Sequence, residues 1–78
     1  MPIVAILDDH VANRQIFARL AASIADDIVV KTFADPLEAL AALKSLVVDL
    51  VITDFRMPHM DGAEFVRNFR KIPGAEDV

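Results

Sequence analysis

Short apolar runs alternate with segments of helical period along this chain. Residues 3–7, I-V-A-I-L, form a continuous apolar run that ends at Asp8-Asp9-His10. A run of five rich in Ile and Val reads as a strand buried on both faces. Over residues 11 to about 25 the pattern changes: Ile16, Phe17, Leu20 and Ile24 recur at spacings of one, three and four. That predicts an amphipathic helix with Asn13, Arg14 and Arg19 elsewhere on the wheel. Asp26-Asp27 breaks it, and a second strand runs from residue 28 to residue 33. Asp35-Pro36-Leu37-Glu38 then places an N-cap Asp, a Pro at the first helical position and a Glu at the third. The helix it starts extends to about residue 45, with Leu37, Leu40, Ala41 and Leu43 on one face.

The stretch 47–62, V-V-D-L-V-I-T-D-F-R-M-P-H-M-D-G, organises the rest of the chain. A buried strand delivers Asp54 to the point where the apolar pattern stops. Pro58 lacks a backbone N–H and restricts Met57, so no strand continues through it. Asp61-Gly62 supplies a turn and an N-cap, with Glu64 placed as in a capping box. The last helix, residues 63 to about 71, carries Phe65, Val66, Phe69 and Ile72 and stops at Pro73-Gly74. Residues 75–78 show no readable state, though the last could begin another strand. The order βαβαβα with short connections implies a parallel sheet with right-handed crossovers. There is no internal repeat or linker.

Composition narrows the class. Seventy-eight residues make one small domain, and 55% hydrophobic content suits strands covered on both faces. No apolar run approaches the ~20 residues that span a bilayer. The chain opens on a strand-like run without a basic leader, which reads as no signal peptide. Without cysteine there is no disulfide or thiolate metal site, and the cytoplasm is the expected compartment. A net charge of −4 argues against direct nucleic-acid binding, which needs a surplus of Lys and Arg.

The acids change the picture most. In open parallel sheets, ligand sites lie just outside the carboxyl ends of the strands. Asp8 and Asp9 end the first strand and Asp54 ends the third, so three carboxylates are expected at one edge. Two carboxylates ~5 Å apart repel by roughly 3 kcal/mol at an effective dielectric near 20. Convergence therefore calls for raised pKa values or a bound cation. An oxygen-only site partly open to water suits Mg²⁺. Beside such an ion a carboxylate can act as nucleophile toward a phosphoryl group.

I-L-D-D-H at the first strand and I-T-D-F-R-M-P-H-M-D-G at the third, with the spacing between them, resemble a response-regulator receiver domain. The match covers essentially the whole chain. The resemblance implies a flavodoxin-like (CheY-like) doubly wound parallel sheet, here its first three βα units in strand order 2-1-3. It implies that Asp54 is the phosphoacceptor and the catalytic carboxylate. It implies Mg²⁺ held by Asp9, Asp54 and the backbone carbonyl of Arg56, with Asp8 acting through water. A sensor histidine kinase would be the phosphodonor, and an output domain or downstream protein the recipient of the switch, which is not an enzyme in its own right. Receivers also carry a Ser/Thr after a fourth strand and a Lys after a fifth. No residue of this chain takes either role, and Thr53 lies on the wrong strand. Residues 1–78 thus read as a receiver truncated before the fourth strand, with the third-strand edge available for a homodimer.

Two other classes compete. A degenerate receiver could serve only as a dimerisation or interaction module. An Asp-nucleophile Mg²⁺ phosphatase resembling the haloacid dehalogenases would need an acid at the position of His10. His10 itself reads as a loop residue at the pocket rim and His59 as solvent-facing. Met57, Met60, Phe65 and Phe69 read as core, and Asn13 and Arg14 as a solvated helix face. Arg67, Arg70 and Lys71 are exposed helix charge. The tail F-R-K-I-P-G-A-E-D-V is similar to those of receivers joined to cyclic-dinucleotide phosphodiesterases of the HD type.

Overall fold

The computed structural model describes residues 2–24 and 26–78. Three strands, β1 (Ile3–Leu7), β2 (Val29–Phe33) and β3 (Leu50–Thr53), alternate with α1 (Val11–Ala22), α2 (Pro36–Leu43) and α3 (Gly62–Phe69). The strands are parallel in the order β2-β1-β3. β1 is the central strand. Its Val4, Ala5, Ile6 and Leu7 are all buried, as a strand covered on both faces must be.

Alternation along β1 divides the interior in two. Ala5 and Leu7 face Ala39, Leu43, Phe65 and Phe69 from α2 and α3. Val4 and Ile6 face Ala21 of α1, with Ala18 and Ile52 beside them. Phe65 and Phe69, one turn apart, stack with centroids 6.0 Å apart and form the largest part of the first cluster. Met57 and Met60 pack against it from the β3–α3 loop, as the sequence predicts.

The helix starts obey their signals. Asp35 Oδ1 accepts the Leu37 N–H at 2.8 Å, with Pro36 at the first helical position. Asp61 Oδ1 accepts the Glu64 N–H at 2.8 Å. At the amino edge of the sheet, Asp49 pins the β1–β3 register: its Oδ2 accepts the Ile3 N–H, and its own N–H donates to the Ile3 carbonyl.

Several expectations are corrected. The expected end of α1 near residue 25 falls outside the described residues; the helix ends at Ala22. Its apolar stripe does not face the sheet: Ile16, Leu20 and Ile24 are 55%, 58% and 76% exposed, while the small residues Ala18 and Ala21 make the contact. α2 likewise buries Pro36, Ala39 and Leu43, leaving Leu37 and Ala41 outside. β3 is only partly buried, because it is the edge of the sheet. Residues 75–78 form turns; Val78 packs against the core rather than beginning a strand.

Candidate functional site

Sheet register brings the acids together. Leu7 stands opposite Thr53 on one side and Phe33 on the other. The next residues, Asp8 and Asp54, therefore leave adjacent strands at the same level. Asp54 N–H donates to the Leu7 carbonyl at 2.9 Å, and Asp8 N–H to the Phe33 carbonyl at 3.1 Å. Each carboxylate is thus held by the last rung of a ladder. One ligand atom from each of Asp8, Asp9, His10 and Asp54 lies within 4.8 Å of all the others.

The members differ in access. Asp8 is 4% exposed, and its Oδ1 accepts the His10 main-chain N–H at 2.9 Å. Arg14 is not wholly solvated: its Nη1 donates to the Asp8 carbonyl at 2.8 Å and fixes the start of α1 against the strand end. Asp9 and Asp54 keep roughly a third of their side chains open to water. Asp54 Oδ1 accepts the Phe55 N–H at 2.8 Å, which leaves Oδ2 directed toward the cluster. A cavity of about 240 Å³ beside Asp54 is lined by Asp8, Asn13, Phe17, Ile52 and Thr53.

His10 sits at the rim as expected, its side chain 65% exposed, with its ring turned toward the acids. Its Nδ1 lies 3.0 Å from Asp9 Oδ1, 3.1 Å from Asp8 Oδ1 and 4.0 Å from Asp54 Oδ2. The hydrogen bond with Asp8, then the charge of Asp9, raise its pKa above the usual histidine value. Hydrophobic periodicity carries no signal for this orientation; the adjacency D-D-H is the only trace.

The loop after Asp54 is shaped by Gly62. A Cβ there would stand 2.6 Å from the Asp54 carbonyl oxygen and 3.1 Å from Phe55 Cα, so only glycine lets α3 begin this close to the strand end. Gly62 N–H donates to the Phe55 carbonyl at 2.6 Å. The sequence marks Gly62 as a turn residue and misses this packing role. Arg56 lies exposed in the same loop, and its carbonyl accepts no hydrogen bond from a described residue. His59 adopts a left-handed φ of 75° and places Nε2 3.4 Å from Asp35 Oδ2, tying the loop to the α2 cap.

The donor set fits a divalent ion. Carboxylates of this density, two of them accessible, supply oxygen ligands and the negative charge that a hard cation offsets. No helix among the described residues is long and apolar enough to cross a membrane.

A β2-β1-β3 parallel sheet with its acids at the carboxyl ends of the strands is the arrangement of a doubly wound α/β domain, whose ligand sites lie at that edge. The profile of the response regulator receiver domain family matches residues 4–78. The chain belongs to that family. It is 39% identical over 75 residues to the cyclic di-GMP phosphodiesterase response regulator RpfG of Xanthomonas campestris pv. campestris, covering 96% of this chain and 20% of RpfG. It is 44% identical over 64 residues to the transcriptional regulatory protein FlgR of Helicobacter pylori, covering 82% of this chain and 16% of FlgR. The chemotaxis response regulator CheY4 of Vibrio cholerae superposes with a TM-score of 0.89 at 32% identity, over 99% of this chain and 62% of CheY4. The chain therefore spans about a fifth or less of the two longer relatives, and the fold is the CheY-like flavodoxin fold cut to its first three βα units.

Proposed function

We propose that this chain is the phosphoacceptor portion of a two-component response regulator, with Asp54 as the residue that takes the phosphoryl group from a sensor histidine kinase. The observation that carries the reading is the position of Asp54: at the end of β3, partly open, within 4.8 Å of Asp8 and Asp9. An Asp54 carboxylate oxygen attacks the phosphorus of a phosphohistidine. The new P–O bond forms as the P–N bond breaks, and the electron pair leaves on the imidazole nitrogen. Asp54 then carries an acyl phosphate. Asp9, Asp54 and the Arg56 carbonyl would hold Mg²⁺, with the more deeply buried Asp8 acting through water. Bound there, Mg²⁺ offsets the repulsion of the acids and of the phosphoryl oxygens. The domain assists its own phosphorylation and dephosphorylation at most.

The compartment that fits this role is the cytoplasm, and the switch acts on an output domain or downstream protein. RpfG and FlgR are named for different outputs, a phosphodiesterase and a transcriptional regulator, so likeness to both leaves this chain's output open. The exposed β3 edge favours a second mode, a homodimer formed through that strand. Acetyl phosphate tests the main reading in a complete version of the domain: it should label Asp54 with an acid-stable, base-labile adduct that Asp54→Asn abolishes. Label recovered on Asp8 or His10 would overturn the assignment.

A further inference from the structure

Leu37 and Ala41, left outside the core, line a trough. With Leu40 and Lys44 they stand at i, i+3, i+4 and i+7 along α2 and its cap, so the four share one side of that helix. Across from them stand Asn68 of α3 and the turn that follows it, Lys71, Ile72 and Pro73. The trough between measures about 660 Å³. Its walls stay wet: Leu37 is 51% exposed, and Ala41 and Pro73 are exposed too. A small ligand would keep much of its surface in water there, whereas a small-molecule site normally covers most of what it binds. Leu37 to Lys44 spans about 10 Å, the length of roughly two turns of a helix laid alongside.

Charge selects the occupant. The chain carries a net charge of −4, yet no carboxylate of a described residue lines the trough, and its two charged groups are both ammonium ions. Lys44 caps α2 and Lys71 follows the end of α3. Neither pairs with a carboxylate of a described residue. We propose that this trough docks an amphipathic helix of a partner protein, with its apolar stripe on Leu37, Leu40, Ala41 and Ile72 and acidic side chains against Lys44 and Lys71. The trough shares no residue with the acidic edge, so its occupation is independent of the phosphoacceptor reading of Asp54.

The experiment selects binders on the immobilised 78-residue chain from displayed helical peptides of about 18 residues. Their apolar stripe is fixed at helical spacing, and the flanking positions vary over Asp, Glu, Lys, Arg, Ser and Gln. Enriched peptides should carry Asp or Glu beside the stripe. Measured singly by fluorescence anisotropy, they should bind about tenfold or more weakly to Lys44→Glu/Lys71→Glu and to Ala41→Glu, each checked for native circular dichroism. Lys in place of the peptide's acids should restore binding to the Lys44→Glu/Lys71→Glu chain, a rescue that a merely structural effect would not give. No enrichment, enrichment without acidic bias, or binding that these substitutions leave unchanged would overturn the proposal. Loss of self-association in the same variants on sedimentation would overturn it too, because the trough would then hold a second copy of the chain.

Discussion

His10 balances the charge at the acidic edge. Asp8 and Asp9 from the β1–α1 turn and Asp54 from β3 face its ring, while Arg14 of α1 engages only the Asp8 carbonyl. The Asp8 hydrogen bond leads in raising its pKa above 6.5, so the folded state favours the imidazolium. Such a group contributes stability fully below its unfolded pKa and loses it as pH rises through the folded one. In metal-free protein the His10 ring should titrate above the unfolded chain in an NMR pH series, and Asp8→Asn should bring it down. An unchanged midpoint in Asp8→Asn would remove the pairing. Gly62 gives a second test at this scale. Gly62→Ala drives a methyl against the Asp54 carbonyl, and chemical denaturation should show a loss of about 1–3 kcal/mol. Of these residues only the acids are legible in the sequence, because an Asp ending an apolar run declares its edge of the sheet. Where a ring turns, or which glycine must admit a backbone, is decided by contacts between distant segments.

Helix caps are local, and so the sequence announces them. Asp35-Pro36 needs only its own next three residues to satisfy the Leu37 N–H and set the first turn. Asp35→Ala should cost about 1 kcal/mol, read as a lower Tm at fixed chain concentration. His59 loses its partner in the same variant, so His59→Ala, which spares the cap, should cost less. If the two variants are equally destabilised, the loop contact and not the cap holds α2. Buried helix faces are less legible. In α1 the large residues outline a stripe that periodicity assigns to the core, yet Ala18 and Ala21 meet Val4 and Ile6. Small residues let a helix approach a strand closely, and a hydrophobic stripe says only that something apolar covers it. α2 misleads in the same way, for Leu37 and Ala41 lie on the side of the helix roughly opposite the buried Ala39 and Leu43.

For the molecule as a whole, β1 is satisfied on both sides and β3 on one. The strand order itself comes from the likeness to receivers, since periodicity cannot order strands. With order β2-β1-β3, one flank of Leu50–Thr53 has no described strand beside it. Asp54 N–H points inward to Leu7, so by alternation the N–H of Thr53 and Val51 point outward. An unprotected edge of this kind templates pairing with another chain. Ile16, Leu20 and Ile24 add an uncovered apolar stripe on α1. Each Leu or Ile buried is worth roughly 1.5–3 kcal/mol, so covering three compares with the ~5–15 kcal/mol by which a small domain is stable. The 78-residue chain should therefore self-associate, with the β3 edge as the contact. In sedimentation at micromolar concentration, Val51→Pro should reduce the assembly, because it removes an outward donor while leaving the inward rungs to β1. Leu20→Lys, which leaves the β3 edge intact, should weaken it less. Dissociation by Leu20→Lys alone would move the contact to α1, and a cooperative monomer in the unaltered chain would show that three βα units need no partner.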